Sequence, residues 1–216
     1  MKELHTDVVV IGAGTAGLSA YRNAKQFTPN VLMIESGPYG TTCARVGCMP
    51  SKLLIAAAEA AHSIEMAPAF GVHSSKPRID GKAVMARVKS ERDRFAGFVV
   101  EAVDDIPDED KIRGYAKFLD ANRVQIDDDI IITAKRFVIA TGSRSSYPGV
   151  FNNFGDKLII NDDVFNWDDL PESVAVFGPG VIGLEIGQAL SRLGVNVKLF
   201  GVGGAIGPLT DPVIKD

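Results

Sequence analysis

Thr6-Asp7-Val8-Val9-Val10-Ile11-Gly12-Ala13-Gly14-Thr15-Ala16-Gly17 is the stretch that decides the fold. Its continuous β-branched run, Val8 to Ile11, predicts a strand buried on both faces of a parallel sheet. The run opens directly into three glycines at spacings of two and three, and Leu18 to Gln26 then reads as a helix. A second strand, Val31 to Ile34, ends in Glu35. A glycine triplet alone is weak evidence. With a strand before it, a helix after it and an acid at the next strand end, it has the context of a dinucleotide-binding turn. The glycines permit a tight turn and close backbone approach to a pyrophosphate on the helix N-terminus, and Glu35 would accept hydrogen bonds from a ribose.

The pattern recurs. Val174 to Phe177 leads into Gly178-Pro179-Gly180-Val181-Ile182-Gly183, followed by a helix (Leu184 to Leu193) and a strand (Val195 to Phe200). Two fingerprints imply two dinucleotide sites, or one site and a diverged copy. The offset from Gly12 to Glu35, counted from Gly178, lands on Gly201. Glycine offers neither an acid for a free ribose 2′-hydroxyl nor an arginine for a 2′-phosphate, so the choice between NAD and NADP stays open.

The chain's two cysteines stand in Cys43-Ala-Arg-Val-Gly-Cys48, immediately before Met49-Pro50-Ser51-Lys52. Pro50 suits the first helical position, and Leu53 to Ala61 reads as strong helix, ending before Pro68. On a regular helix residues five apart are separated by about 7.5 Å of rise. A disulfide wants its Cα atoms within about 4.4–6.8 Å. Bridging therefore requires an irregular first turn, for which Gly47 supplies the backbone freedom. Cys48 lies beside the unpaired N–H groups and positive dipole end of that helix, where negative charge is favoured. The alternatives are two structural cysteines or half of a zinc site. Zinc needs three or four ligands, and His5, His62 and His73 show no ligand spacing. No metal site is expected.

Composition bounds the function. With 216 residues, 46% of them hydrophobic and 23% charged, the chain has the make-up of a soluble globular protein. A formal net charge of −4 argues against nucleic acid, whose phosphates call for a basic face. No apolar run approaches membrane-spanning length and the N-terminus lacks a secretory signal, so a cytoplasmic location and no membrane partner are expected.

Between the two fingerprints, Asp80 can cap a helix whose apolar side carries Val84, Val88, Phe95 and Val99. Met66 and Met85 read as packing residues, and Asp104 to Asp110 as a solvated acidic loop. Short strand candidates follow at Lys111 to Phe118, Arg123 to Ile126 and Ile130 to Thr133, an antiparallel meander inserted into the α/β domain. A further buried strand, Phe137 to Ala140, ends in Thr141-Gly142-Ser143. Ser146-Tyr147-Pro148-Gly149 marks a domain junction, and Trp167 a packing anchor in the connection beyond it. The expected fold class is α/β: a Rossmann-like domain over residues 1–149, then a linker and the start of a second Rossmann-like domain over 150–216.

Taken together, GAGTAG with Glu35, TTCARVGCMPSK, VIATGS at 138–143 and GPGVIGLEIG resemble the pyridine nucleotide–disulfide oxidoreductases, in that family's order and across essentially the whole chain. The ending CMPSK is most similar to the dihydrolipoamide dehydrogenase and mercuric reductase branch. The resemblance implies that Gly12, Gly14, Thr15, Ala16, Gly17 and Glu35 bind the ADP half of FAD. Ser36, Thr41, Thr42, Lys52, Tyr115, Ala116, Thr141, Gly142 and Ser143 would complete that site. NAD or NADP would lie on Gly178, Gly180, Val181, Ile182 and Gly183. Cys43 would be the exposed thiol that exchanges with substrate, and Cys48 the thiol that forms a charge-transfer pair with the flavin. Lys52 would pair with Glu185 near the flavin ring and tune it. Electrons would then pass between NAD(P)H, flavin, the Cys43–Cys48 couple and an external dithiol or disulfide, dihydrolipoamide being the expected substrate.

Two alternatives stand beside that expectation. One is a mercuric or other metal-ion or disulfide reductase of the same family, and the other a non-catalytic nucleotide-binding module in which the cysteines switch redox state. Family members also carry a His–Glu acid–base pair in a C-terminal dimerisation domain, and none of the three histidines here stands in such a motif. The chain ends at Lys215-Asp216, after one βαβ unit of the second domain. The expectation is therefore a non-catalytic N-terminal fragment of a roughly twofold longer, homodimeric enzyme.

Overall fold

The chain's two compact units each build their own core. The computed structural model describes residues 2–201 together with Gly207 and Val213. The first unit comprises Met1–Arg45 and Arg94–Arg144, and the second Val46–Asp93 and Ser145–Asp216. This division follows packing, and it differs from the junction expected at the turn-forming residues Ser146 to Gly149. The part of the second segment beyond Gly201 lies, but for Gly207 and Val213, outside the described residues.

The first unit is a six-stranded sheet in the order β3-β2-β1-β6-β5-β4, in which β4 is Ala116–Asp120 and β5 is Arg123–Ile126. Its parallel part is β1 (Lys2–Ile11), β2 (Val31–Glu35), β3 (Lys111–Arg113) and β6 (Ile130–Ile139). Helix α1 (Thr15–Ala24) crosses from β1 to β2. Along β1 successive side chains point to opposite faces, and both faces are covered. Val8 and Val10 join Leu18, Tyr21, Val31, Met33 and Val103 in one cluster. Val9 and Ile11 join Ile34, Val124, Ile126 and Ile132 in another. An apolar run with no polar alternation is what such a strand requires.

The meander is present, with different limits. Gly114, at φ +155°, interrupts the first candidate strand. Lys111–Arg113 consequently pairs parallel with β2, while β4 (Ala116–Asp120) pairs antiparallel with β5 (Arg123–Ile126). The third meander strand does not stop at Thr133. It runs on through Ile139 as β6, pairing with β5 at its start and with β1 along its whole length. The physical reason lies in β1, whose polar first half, Lys2 to Thr6, is also strand and pairs with Ile130 to Ala134. The acidic loop is likewise not wholly solvated. Asp110 is buried, accepting hydrogen bonds from Tyr21 Oη and Lys25 Nζ, both at 2.6 Å.

In the second unit, β7 (Ser173–Phe177) and β8 (Asn196–Phe200) form a parallel pair joined by α5 (Val181–Arg192). Helix α3 (Cys48–Met66) packs against α5. The core holds Leu54, Ala58, Met85, Val88, Phe165, Ile186 and Leu190, with Trp167 packed at its margin. Met85 is fully buried as expected, whereas Met66 is about half exposed at 48%. Helix α4 (Gly81–Asp104) begins where expected, Asp80 Oδ1 accepting the Ala83 N–H at 3.0 Å. Helix α3 begins two residues earlier than expected. Pro50 still lies within the first turn, where its missing N–H costs nothing. Among the described residues no helix is long and apolar enough to cross a membrane.

Candidate functional site

The glycine turn after β1 divides its glycines by duty. Gly12 has φ +109°, and a Cβ there would stand 2.2 Å from the Ala140 carbonyl oxygen. A Cβ on Gly17 would stand 1.8 Å from the Gly12 oxygen. The protein itself requires both. Gly14 is different: a Cβ there would meet nothing within 4 Å. An opening therefore remains at the head of α1, whose first turn has no acidic residue and no side-chain cap. Unpaired N–H groups and a positive dipole end, reached through a gap that a side chain would fill, fit a pyrophosphate.

Glu35 is tied to that turn. Its Oε2 accepts the Ala13 N–H at 2.8 Å and its Oε1 the Gly37 N–H at 2.7 Å. Each oxygen keeps a further acceptor position, so the carboxylate can hold the turn and still receive a hydroxyl. The other first-unit candidates gather at the same C-terminal ends of the parallel strands, where ligands bind in open α/β sheets. Gly114 N–H donates to the Glu35 carbonyl at 3.1 Å, leading into Tyr115, 68% exposed, and Ala116. Ala140 N–H donates to the Ile11 carbonyl at 2.8 Å, leading into exposed Thr141, Gly142 and Ser143. Thr15, Ala16 and Ser36 are exposed at the same edge. Thr41 Oγ1 accepts the Ala44 N–H at 3.1 Å, and exposed Thr42 opens α2 (Thr42–Val46).

The second turn repeats the division within its own unit. Gly178 has φ +114°, and a Cβ on Gly183 would stand 2.1 Å from the Gly178 oxygen. Gly180, like Gly14, meets nothing within 4 Å. Val181 and Ile182, at the start of α5, are exposed.

Gly47, with φ −123° and ψ −121°, breaks the chain between α2 and α3. This is the irregularity that the cysteine spacing called for. Cys43, expected to be the exposed thiol, is half-buried within α2. Cys48, at the start of α3, is the exposed one. Its carbonyl accepts the Ser51 hydroxyl at 3.1 Å. Four residues further along α3, Lys52 Nζ donates to Glu185 Oε2 on α5 at 2.7 Å, the contact named from the resemblance. Among the described residues, no group of His, Cys, Asp and Glu is arranged to hold a metal ion.

A family model for the pyridine nucleotide-disulphide oxidoreductases matches residues 6–216. The chain belongs to that family. Among its curated members, a mercuric reductase of Bacillus cereus is 34% identical over 198 residues, covering 90% of this chain and 31% of its own length. A dihydrolipoyl dehydrogenase of Cupriavidus necator is 32% identical over 210 residues, covering 90% of this chain and 44% of its own length. The chain thus spans less than half the length of these relatives. Among solved structures, the copper(II) complex of a variant of the HOCl-induced flavoprotein disulfide reductase RclA from Escherichia coli superposes with a TM-score of 0.77. It is 21% identical and covers 99% of this chain and 45% of that one, a likeness of fold.

At the same sheet edge two groups, Arg113 and Tyr39, carried no signal in the sequence. Arg113 pairs in register with Glu35 across β2 and β3, and its guanidinium lies over the Tyr39 ring, 4.5 Å from the centroid. A three-residue strand with mixed polarity offers no periodicity, so only the sheet pairing reveals this cation beside the glycine turn.

Proposed function

We propose that the chain belongs to an FAD-dependent disulfide oxidoreductase that passes two electrons between a dithiol or disulfide substrate and NAD(P). The observation that carries this is the pair Gly14 and Gly180, the glycine in each turn that no protein atom requires. Residues 1–149 would hold FAD and residues 150–216 would begin the NAD(P) site. Bound FAD supplies the two-electron relay between thiols and nicotinamide. The residues of the chain do the rest. The amides of Gly14 to Gly17 receive the pyrophosphate, Glu35 holds the turn and a ribose hydroxyl, and Tyr115, Ala116 and Thr141 to Ser143 line the edge. Lys52, oriented by Glu185, places a positive charge where the redox chemistry occurs.

In the direction of dithiol oxidation, the substrate's two thiols lose two electrons and two protons and close to a disulfide. The Cys43–Cys48 disulfide opens to two thiols by accepting them, and recloses as NAD⁺ becomes NADH with release of one proton. Cys43 would exchange with the substrate, and Cys48, an exposed residue, would be the thiol that faces the cofactor. Dihydrolipoamide is the proposed substrate, supported by the likeness to dihydrolipoyl dehydrogenases. The likeness to mercuric reductases supports a second substrate class, a thiol-bound metal ion. The working protein is proposed to be a cytoplasmic homodimer.

The test is the absorbance spectrum of the protein with FAD, before and after one equivalent of NADH without oxygen. Stoichiometric bound flavin that gains a long-wavelength thiolate–flavin band while staying oxidised supports the proposal, and a protein that takes up no FAD ends it. Lipoamide, glutathione disulfide and mercuric ion, offered in turn as oxidants, separate the substrate classes.

A further inference from the structure

Strand register locates a position at which the two glycine turns part company. In the first, Ile11 pairs with Ile34 and the Gly12 N–H donates to the Ile34 carbonyl at 2.7 Å, so the next residue is Glu35. In the second, Phe177 pairs with Phe200 and the Gly178 N–H donates to the Phe200 carbonyl at 2.9 Å, so the next residue is Gly201. The acid is therefore missing from the very place where the first turn has it.

Its support is missing too. Glu35 is held by the N–H of Ala13. The corresponding residue of the second turn is Pro179, which has no N–H to give. Its ring also fills the space, since a Cβ on Gly201 would stand 2.5 Å from Pro179 Cγ and 3.0 Å from its Cδ. Pro179 and Gly201 thus exclude a carboxylate both by shape and by the loss of its anchor. The sequence that follows supplies no cation either: Gly201 to Thr210 contains no charged residue. An acid here favours a free 2′-hydroxyl and repels a 2′-phosphate, while an arginine does the reverse. This turn has neither. What it keeps is the open cradle at Gly180 and the acid-free N-terminus of α5, which serve the pyrophosphate common to both nucleotides.

Building on the proposed NAD(P) site, we propose that the second turn holds its dinucleotide by the pyrophosphate and does not discriminate between the 2′-hydroxyl and 2′-phosphate forms. The Pro179–Gly201 contact is the feature that sets this.

Calorimetric titration of the flavin-loaded full-length protein with ADP-ribose and with 2′-phospho-ADP-ribose tests this without turnover. The two dissociation constants should agree within about threefold, and a preference of about tenfold or more in either direction overturns the inference. Replacing the pair, Pro179→Ala with Gly201→Glu, restores the amide, the space and the acid, and should produce at least about a tenfold preference for ADP-ribose. An unchanged ratio in that folded variant also counts against it. Gly180→Leu should abolish the binding of both probes. If it leaves binding intact, or the parent protein binds neither probe, the dinucleotide site itself fails. A skewed ratio with Gly180→Leu silent fails the inference alone.

Discussion

Lys52 Nζ on α3 lies 2.7 Å from Glu185 Oε2 on α5, joining residues 133 positions apart in the chain. The pair is not what holds the helices. Its side chains are 58% and 37% exposed, and such pairs contribute about 0–1 kcal/mol. Each fully buried side chain beneath it, such as Leu54 or Leu190, contributes about 1.5–3 kcal/mol. Lys52→Ala should therefore change the urea-unfolding free energy by less than about 1 kcal/mol. Under the proposed function, which sets Lys52 beside the flavin, dithiol oxidation by the full-length protein should fall by about tenfold or more. A large loss of stability with unchanged turnover would make the pair structural.

Gly14 and Gly17 separate ligand demand from protein demand. Gly17→Ala sets a methyl group against the backbone oxygen of Gly12, which cannot move aside as a side chain can. It should cost about 1–3 kcal/mol, or prevent folding. Gly14→Ala has open space and an ordinary backbone, φ −81° and ψ −168°, so stability should hold or rise by about 0.4–1 kcal/mol. Its affinity for FAD should nonetheless fall by about tenfold or more, because the methyl group occupies the cradle. Thermal melts without flavin, followed by FAD titration, check both halves.

Tyr21 gives the fold an alkaline limit. Burial first, then the hydrogen bond to Asp110 and its charge, raise the Tyr21 phenol above its usual value. The folded state therefore holds that proton where the unfolded chain releases it, so the contribution is complete below about pH 10 and declines as pH rises further. Tyr21→Phe should cost about 1 kcal/mol near neutrality by removing a donor from buried Asp110. The gap between the two melting curves should narrow as pH rises above about 10, and a constant gap would contradict the assignment.

At the acid end the sensitive group is Asp7. Hydrogen bonds from Lys135, Thr28 and Asn30, in that order of effect, lower its carboxyl to about 2. A depressed value stabilises the fold above the unfolded value near about 4, and the contribution is lost as pH falls through about 2. The melting-temperature difference between the parent protein and Asp7→Asn should be full at neutral pH and close in strong acid. Its persistence there would show that Asp7 acts through shape alone.

Local chemistry made much of this legible. Glycine spacing and flanking strands located both turns because their steric demands fall on adjacent residues. Asp80 announced α4 because a cap acts within one turn. What escaped depends on distant pairing. Lys2 to Thr6 alternates polar residues with little apolar content and becomes strand only because Ile130 to Ala134 lies beside it. β1 in turn carries β6 through polar Lys135 and Arg136, where the sequence suggested two strands. Asp110 sat in an acidic run, and nothing local marked the one carboxylate that Tyr21 and Lys25 draw inside. The exposure of the cysteines was likewise unreadable from their spacing: Cys43, within α2, is half-buried, while Cys48, which begins the next helix, is exposed.

The central claim is that Cys43 and Cys48 form one two-electron couple fed through bound FAD. Differential alkylation, read as the masses of the peptides carrying each cysteine, tests it most directly. The flavin-loaded full-length protein is labelled as isolated in air and again after one equivalent of NADH without oxygen. The account predicts that both cysteines resist the reagent before NADH and that both are labelled after it. Equal labelling before and after, with the flavin fully reduced by the NADH, would contradict it.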